Sequence, residues 1–326
     1  MTPVRRILVI ALPLVAVAAM AACRDSVRPL YTIGVLELLE SPTTADLRRG
    51  FIRALEEGGL RDGSNFRLNI RNAQNDISQA QRIAQGFAAG GVDLIVAVST
   101  AGLQAVLVAA PKVPVVFTSV ANPYLTRAGI SPTEHLGNVT GLASTGPIRE
   151  TLEFIRRVLP LARRVGTLWT PSELNSEYYL ELARAAAAEL NFEIVAVPVA
   201  NASEVLLAAQ VLINKKIDVI YQISDNTINN SFELVGRMAE ENAIPLFGGF
   251  LLSTRAGACA AMGWDFFDLG IRTGKIVLRV KNGESPAAIP IQGMTDVKLW
   301  LNRTSAARQG VEFPAEVLKQ ASEIRD

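Results

Sequence analysis

Apolar runs and amphipathic stretches alternate along the chain from residue 31 onward. "YTIGVLEL" predicts a buried strand, and "SPTTADLRRGFIRALEEGG" then places Leu47, Phe51 and Leu55 on one helical face behind Pro42. "NFRLNIRNA", "VDLIVAVST" and "VPVVFTS" continue the alternation as strands separated by helices. Nearly continuous apolar strands such as the last two are typical of parallel sheets that are covered on both faces. This half of the chain therefore predicts a lobe of βαβ units.

The second half of the chain repeats the plan. Strands are predicted at "RRVGTLWT", "FEIVAVPV", "IDVIYQIS" and "AIPLFGG", with helical stretches between them. Aligning the halves by hand pairs Asp93 with Asp218 at an offset of 125 (218 − 93), and Gly34 with Gly166 at an offset of 132 (166 − 34). The similarity could mean that the two lobes are alike, or only that any two doubly wound domains look alike. Both explanations predict two βαβ lobes.

The last sixty residues do not form a third lobe. One more helix is predicted at 265–284, and a strand and a helix follow in "IPIQGMTDVKLWLNRTSAARQG". A chain that leaves a lobe, returns and leaves again forms a hinge of several crossovers. The predicted fold class is α/β, with two doubly wound parallel-sheet lobes joined by a multi-crossover hinge. The predicted divisions are a signal peptide (1–22), a linker (23–30), an N-terminal lobe (31–146 plus about 265–284) and a C-terminal lobe (147–264 plus about 285–326).

The N-terminus is typical of a secretory signal. Arg5 and Arg6 precede an uncharged, almost wholly apolar run at 7–22, which is short for a membrane span. "Met-Ala-Ala-Cys" resembles a bacterial lipobox, in which Cys23 is lipidated after cleavage. Plain cleavage near this point and a single retained helix are the alternatives. We expect an exported protein, either periplasmic or anchored as a lipoprotein on the extracytoplasmic side.

Charge and chemistry exclude several functional classes. The formal net charge is +1, which gives no bulk attraction to nucleic acid. The single histidine, His135, lies in the loop-like "SPTEHLGN", and Cys259 is expected to be a small buried residue. The sequence contains no GxSxG elbow, no Walker A motif and no GxGxxG after the first strand. We therefore expect no enzyme, no cofactor and no metal site.

Small polar residues follow the predicted strands, where open α/β sheets bind ligands. Helix N-termini at Ser99 and Asn175 favour an anion such as a carboxylate, and Asp225 offers a partner for an ammonium group. The same residue types are also ordinary helix caps, and Phe247 is equally suited to core packing. The pattern predicts a site for a free amino acid, with ligand-binding candidates Leu38, Ser99, Thr100, Ser119, Asn175, Ser176, Asp225, Thr227 and Phe247.

Several segments resemble, in order, one known family. "GFIRALEEGGLRDGSNFRLNIRNAQNDISQAQRIAQ", "VDLIVAVSTAGLQA", "VPVVFTSVANP", "GNVTGL", "LWTPSELNS", "SDNT" and "IPLFGG" are similar to bacterial ABC-transporter substrate-binding proteins of the tryptophan and tyrosine type. The resemblance covers residues 31–305. It implies a type I periplasmic-binding-protein fold with a three-stranded hinge and a ligand between the lobes. Asn122 stands where family members often carry Asp, which leaves the ligand open.

The resemblance also implies residue roles. Ser99, Thr100 and Ser119 would contact the ligand from the first lobe, and Asn175, Ser176, Asp225 and Thr227 would do so from the second. The expected function is the solute-binding component of an ABC importer that captures a small polar ligand by hinge closure and docks, as a monomer, on a membrane permease. The ligand is expected to be an amino acid, with aromatic ones among the candidates. A sensor that partners a signalling receptor is the alternative.

Overall fold

A computed structural model describes residues 30–326. Residues Tyr31–Asp326 form one compact unit. The expectations for the signal segment and for lipidation of Cys23 concern residues outside the described range. Within that range, no helix combines the length and the apolar character needed to cross a membrane.

The first sheet contains six parallel strands in the order β11-β5-β4-β3-β1-β2. Strand β3 is buried along its whole length, and β1, β4 and β5 are buried except for one or two residues each, which explains why their sequences lack the alternation of a half-exposed sheet. The strands are β1 (Tyr31–Glu37), β2 (Phe66–Asn72), β3 (Leu94–Val98), β4 (Val115–Val120), β5 (Val139–Ala143) and β11 (Gln292–Gly293).

The second sheet contains seven strands in the order β13-β12-β10-β9-β8-β6-β7. All of its neighbouring strands are parallel except β10 and β12, which are antiparallel. The strands are β6 (Arg164–Trp169), β7 (Glu193–Pro198), β8 (Val219–Gln222), β9 (Leu246–Gly248), β10 (Ala260–Gly263), β12 (Lys298–Asn302) and β13 (Glu323–Arg325). The predicted class, α/β with two parallel-dominated sheets, is confirmed.

Helices cover both sheets, and we call each sheet with its helices a lobe. The N-terminal lobe carries α1 (Pro42–Glu57), α2 (Ile77–Ala89), α3 (Thr100–Ala109) and α9 (Phe266–Lys281). The C-terminal lobe carries α4 (Ile148–Val158), α5 (Leu174–Glu189), α6 (Val205–Asn214), α7 (Asn226–Asn229), α8 (Phe232–Glu241), α10 (Arg303–Arg308) and α11 (Ala315–Gln320).

Helices α1 and α9 lie unusually close, which fixes where α9 begins. A Cβ atom added at Gly50 would lie 2.0 Å from the Phe267 carbonyl oxygen, so only glycine allows this approach. Ser41 caps α1 through a hydrogen bond from the Thr44 N–H to its Oγ. The tight contact holds the first residue of α9, Phe266, at the edge of the space between the lobes.

Three connections run between the lobes, as the resemblance implied. They lie between β5 and α4, between β10 and α9, and between β11 and β12. The last one differs from expectation, because residues from about 285 onward were assigned to the C-terminal lobe. Strand β11 instead pairs with β5, and Ile289 and Ile291 are buried in the N-terminal lobe. This apolar segment covers the edge of the first sheet, so the chain crosses after residue 293.

The hand alignment of the two halves corresponds to matching backbone contacts. Asp93 accepts a hydrogen bond from the Thr32 N–H at 2.7 Å, which ties the start of β3 to β1. Asp218 accepts one from the Arg164 N–H at 2.8 Å, which ties the start of β8 to β6. The two aspartates therefore hold equivalent strands in the two lobes. Cys259 is fully buried in the C-terminal core, as predicted.

Candidate functional site

Two adjacent cavities lie between the carboxyl ends of the strands of the two sheets. The space open to the centre of a water-sized sphere is about 50 Å³ in the inner cavity and about 60 Å³ in the side cavity. The cavities meet at five residues that line both of them: Ser99, Ser119, Ser224, Asn226 and Phe266.

The N-terminal wall is formed by strained backbone at the ends of β3 and β4. Ser99 has a φ of 77° and Ser119 a φ of 56°, values that non-glycine residues rarely adopt. The Ser119 conformation accompanies an irregular register between β4 and β5. Backbone strain of this kind is concentrated at functional sites, where the surrounding packing maintains it. Both serines line both cavities.

Helix α3 presents its N-terminus to the inner cavity. The Ser99 Oγ accepts a hydrogen bond from the Gly102 N–H at 3.1 Å, and the Thr100 Oγ1 accepts one from the Ala121 N–H at 3.3 Å. The N–H groups of Thr100 and Ala101 have no acceptor among the described residues. Free N–H groups and the positive end of a ten-residue helix dipole favour an anion at this wall.

The C-terminal wall is formed by two amide side chains that a partly buried network of hydrogen bonds orients. Glu173 accepts hydrogen bonds from Asn175 Nδ2 at 3.1 Å and from Asn226 Nδ2 at 2.8 Å. It also accepts from the backbone N–H groups of Asn226 and Thr227, both at 3.0 Å. Because the Asn226 Nδ2 faces Glu173, its Oδ1 is presented as an acceptor. This wall therefore offers amide oxygen backed by negative charge.

Asp225 supports this wall from behind and does not line either cavity. Its carboxylate accepts from the Thr170 N–H at 2.9 Å, the Thr170 hydroxyl at 3.1 Å and the Ile228 N–H at 2.8 Å. Burial, and secondly the neighbouring charge of Glu173, raise the pKa of Asp225 to about 6. Contrary to the expected role as an ammonium partner, Asp225 is a helix cap that joins β6 to α7.

Aromatic side chains close the inner cavity: Tyr179, Phe250, Trp264 and Phe266. The Tyr179 hydroxyl donates to the Ser144 carbonyl and accepts from the Gly146 N–H, both at 3.2 Å. Burial raises the pKa of Tyr179 to about 12, so the phenol stays protonated. Trp264 Nε1 donates to the Thr145 carbonyl at 3.2 Å. These hydrogen bonds fix two of the rings on the connections between the lobes.

The structure brings together five of the nine predicted ligand-binding residues. Leu38 lines the side cavity, Thr100 and Asn175 line the inner one, and Ser99 and Ser119 line both. The other four lie elsewhere, each for a physical reason. Ser176 accepts a hydrogen bond from the Thr170 N–H, and Asp225 is the cap described above. Thr227 lines a groove outside both cavities, together with Gln81 and Ala202. Phe247 packs edge-on against Phe154.

Sequence reasoning missed several lining residues. Ser224 and Asn226 flank the predicted Asp225, so the prediction was one position away from the side chains that face the cavities. Trp264 directly follows β10, a strand that was not predicted from the sequence, and Phe266 begins α9 across the connection between the lobes. The signal that was available for them is the aromatic cluster "GWDFF", at the point where the chain crosses.

No lining residue of the inner or side cavity, within 30–326, carries a formal charge at neutral pH. A ligand with a net charge would be desolvated there without a counter-charge, which is costly. The two walls nevertheless differ in polarity, because one presents N–H groups and the other presents amide oxygen backed by Glu173. In the same range, no three His, Cys, Asp or Glu side chains are grouped as metal ligands. The arrangement suits a neutral molecule with separated opposite charges.

Comparisons with known proteins agree with this geometry. The model of the family "ABC transporter substrate binding protein" matches residues 32–325. A curated relative, the tyrosine-binding protein of Clostridioides difficile (strain R20291), is 34% identical over 270 residues, which are 83% of this chain and 78% of that protein. Both matches span both lobes.

Two solved structures are similar over nearly the whole described chain. An ABC domain in complex with L-Trp from Streptococcus pneumonia is 26% identical, with a TM-score of 0.87 over 90% of this chain and 99% of that one. A ligand-free, open structure of a substrate-binding protein with adhesive properties from Clostridium difficile is 30% identical, with a TM-score of 0.69 over 91% and 99%. A glucose-galactose binding protein from Geobacillus stearothermophilus at 15% identity and a myo-inositol binding protein from Caulobacter at 16% share the type I periplasmic-binding-protein fold alone.

Proposed function

Because the chain belongs to the ABC transporter substrate-binding protein family, we propose that it is the extracytoplasmic solute-binding component of an importer for a free amino acid. The family and its structural neighbours are solute-binding proteins rather than enzymes.

The observation that carries the proposal is the polarity of an uncharged cleft. The N-terminal wall offers the free N–H groups of Thr100 and Ala101, which suit a carboxylate. The C-terminal wall offers the Asn226 Oδ1 with Glu173 and Asp225 behind it, which suits an ammonium group. A zwitterion has no net charge and places opposite charges on opposite walls. A free amino acid has this distribution.

The rings around the inner cavity favour an aromatic or large apolar side chain. Trp264 and Phe266 line the cavity from one connection, and Tyr179 lines it from α5. Aromatic rings that pack against a planar ligand group contribute binding free energy beyond that of apolar burial alone. The relatives named for tyrosine and solved with L-Trp support the same ligand class.

We propose that ligand capture closes the lobes around the hinge. One contact already joins them across the cleft, from the Asn75 Nδ2 to the Thr227 Oγ1 at 3.4 Å. The chain superposes better on the L-Trp complex, at 0.87, than on the open ligand-free structure, at 0.69, although the latter is more identical in sequence. A ligand that contacts both walls would favour the closed arrangement in proportion to its added contacts there.

A ligand screen tests the proposal directly. Each standard amino acid would be added to the purified protein, and the melting temperature and the heat of binding would be measured. We expect at least one aromatic amino acid to bind, and a ligand at about 100 times its dissociation constant to raise the unfolding free energy by about 2.7 kcal/mol. No response to any amino acid would contradict the proposal. Cells that lack this chain should also lose uptake of the labelled ligand.

We further propose that Cys23 carries a lipid that anchors the protein on the extracytoplasmic side. The basic residues, the apolar run and the small residues before Cys23 support this. Metabolic labelling with a radioactive fatty acid should mark the full-length protein and not its Cys23→Ser variant. Equal labelling of both would show that Cys23 is not the modified residue.

A further inference from the structure

Residues 264–266 carry two aromatic side chains of the inner cavity across a link between the lobes, and we call them the aromatic connection. Trp264 follows β10 of the C-terminal lobe, and Phe266 begins α9 of the N-terminal lobe. Both rings line the inner cavity, whereas Asp265 between them does not. The Asp265 backbone is extended, with a φ of −76° and a ψ of 118°. Successive side chains of extended backbone point to opposite sides, so Asp265 points away from the cavity.

Lys298 binds Asp265 outside the cavity. Lys298 Nζ donates to the Asp265 Oδ2 at 2.9 Å and to the Asp268 Oδ2 at 3.1 Å. Lys298 is the first residue of β12 and lies opposite Gly263, the last residue of β10. The antiparallel ladder between β10 and β12 ends at this pair, so the ammonium group extends the attachment beyond the last paired residues. We call Lys298, Asp265 and Asp268 the hinge cluster.

The hinge cluster joins the two lobes. Lys298 belongs to the C-terminal lobe, and Asp268 lies in the first turn of α9 in the N-terminal lobe. Asp265 caps that helix, because its Oδ1 accepts from the N–H groups of Phe267 at 2.9 Å and of Asp268 at 3.3 Å. The same carboxylate therefore fixes the start of α9 with one oxygen and binds Lys298 with the other. Since α9 starts at Phe266, the cluster fixes where that ring lies.

The aromatic connection is also attached to the link between β5 and α4. Trp264 Nε1 donates to the Thr145 carbonyl on that link at 3.2 Å. Lys298 directly follows the link between β11 and β12. Residues 264 and 265 therefore join all three links between the lobes, and a change at Lys298 acts on the residues that carry both rings.

The exposure of the hinge cluster makes it sensitive to salt. The side chains of Lys298 and Asp265 are 28% and 27% exposed, and that of Asp268 is 47% exposed. Partly exposed ion pairs are screened by salt, although several charges that form a network contribute more than one isolated pair. Within residues 30–326, no lining residue of the inner or side cavity carries a formal charge. Salt can therefore act on the hinge cluster while it has little to screen in the cavities.

We propose that Lys298 is a positioning residue for ligand binding, which holds the hinge cluster together and so keeps the aromatic connection against the inner cavity. Its ion pairs make the affinity for a ligand without net charge fall as ionic strength rises. Lys298 lines neither cavity, so it acts on the ligand only through the aromatic connection. The inference rests on the proposed amino-acid function and adds a residue that regulates the same site from outside it.

Calorimetric titration with L-tryptophan and L-tyrosine at low and high ionic strength tests this. We expect wild-type affinity to fall by about 3-fold between about 0.02 M and about 0.5 M salt. In Lys298→Met, affinity should be about 5-fold weaker than wild type at low salt and should then change by less than about 1.5-fold with added salt. Lys298→Arg keeps the charge and should bind within about 2-fold of the wild type at both salt concentrations.

A second measurement needs no ligand. In a background with Trp169→Phe and Trp300→Phe, Trp264 is the only tryptophan, and acrylamide quenching of its fluorescence reports how exposed the ring is. The ring belongs to a residue that is 9% exposed in the structure. We expect Lys298→Met to raise the quenching constant towards that of an exposed ring, and Lys298→Arg to restore the constant of the background protein.

Arg308→Met is the matched control, since it removes the cation of the ion pair between Arg308 and Glu240, which is 2.9 Å long and lies within the C-terminal lobe. It should keep the wild-type affinity and its salt dependence, and melting temperatures will show that each variant folds. Unchanged affinity or unchanged quenching in Lys298→Met would overturn the inference, as would equal losses in Arg308→Met. If no amino acid binds, the proposed function fails, while quenching still decides the role of Lys298.

Discussion

The carboxyl ends of β3 and β8 occupy matching places in the two lobes, but their helix N-termini are treated in opposite ways. After β3, Ser99 caps α3 and leaves the N–H groups of Thr100 and Ala101 free at the inner cavity. After β8, Asp225 caps α7, and Glu173 covers the N–H groups of Asn226 and Thr227. One terminus is open to a ligand anion, and the other is already occupied by the protein's own carboxylates.

This difference shows how a duplicated fold can assign opposite polarity to its two binding walls. The occupied terminus cannot attract an anion, and its carboxylates favour a cation instead. The open terminus retains the positive end of the helix dipole. The segments after β3 ("VAVSTAG") and after β8 ("YQISDNT") differ in sequence by the acidic residue in the second. The difference in polarity between the two termini nevertheless depends mainly on Glu173, which lies in neither segment.

The variant with the largest expected effect places a carboxylate at the helix N-terminus after β3, as Asp225 stands after β8. In Ser99→Asp, the new carboxylate can still cap α3 and tolerates the positive φ, but it occupies the proposed anion position. We expect affinity for the amino-acid ligand to fall by about 1,000-fold, because like charges at a binding site cost several kcal/mol. Calorimetric titration measures the loss.

Ser131→Asp is its control, since the Ser131 Oγ caps a turn through the Glu134 N–H, away from the cleft. It adds the same charge and should leave affinity within about 2-fold of the wild type if charge acts only locally. Ligand binding by Ser99→Asp within about 10-fold of wild type would remove the open terminus from the proposed site.

The second test concerns the occupied terminus and pH. The folded-state pKa of Asp225 is about 6, and that of an unfolded aspartate is about 3.9. Between these values the folded state retains a proton that the unfolded state releases. The stabilisation is therefore fully present below pH 4 and is lost as pH rises through 6, by up to about 3 kcal/mol. Chemical denaturation between pH 3.5 and 7 measures this slope.

Asp225→Asn should lower stability overall, because an amide nitrogen would face one of the donors that the carboxylate accepts. It should also lose the part of the pH slope that Asp225 contributes. The same slope in both proteins would show that another group titrates. Subtracting the two curves of unfolding free energy against pH cancels the contributions of the other carboxyl groups.

A third test removes the charge behind the C-terminal wall. Glu173→Gln keeps the shape of the side chain but lacks a charge and one acceptor oxygen. The orientation of Asn175 and Asn226 should loosen, and we expect amino-acid affinity to fall by about 10-fold. Glu177→Gln, one turn further along α5, should bind as the wild type does. Equal losses in both variants would indicate a general charge effect rather than a role for Glu173.

The smallest expected effect concerns the contact between the lobes. Asn75→Gly removes the long hydrogen bond to Thr227 while keeping a residue that accepts a φ of 61°. A long, partly buried hydrogen bond of this kind contributes less than about 1 kcal/mol, so affinity should fall by about 2-fold to 3-fold. Gln74→Gly, with a similar backbone at a φ of 54°, should not change affinity. Unchanged binding in Asn75→Gly would mean that the contact does not affect closure.

Much of the fold follows from the sequence because its central strands are long apolar runs between well-marked helices. Strands β10 and β11 escape this reasoning, since "AAMG" and "QG" carry no β-branched residue and no alternation. They are strands because β10 pairs with β9 and β12, and β11 pairs with β5. The predicted helix after β8 is interrupted at residues 230–231, where the chain starts α8 anew. These features depend on tertiary contacts that no local pattern contains.

The site was predictable on one wall and less so on the other. At β3 the chain runs directly from strand to helix, so Ser99 and Thr100 lie where the strand-end rule places them. At β8 the side chains of the turn alternate, and Asp225 faces Thr170 while Ser224 and Asn226 face the cavity. The rule identifies the turn, but backbone direction within the turn decides which residue a ligand meets.

Cys259 offers a practical consequence of its own. It is the only cysteine within residues 30–326, it is fully buried, and burial raises the pKa of its thiol to about 12. A thiol with almost no thiolate at neutral pH and no access to solvent reacts very slowly with maleimides. In a variant that lacks Cys23, new cysteines at Gln81 and Ala202, which line the same groove from opposite lobes, would therefore accept a pair of fluorescent dyes while Cys259 stays unlabelled. Energy transfer between those dyes would follow the opening of single molecules in real time.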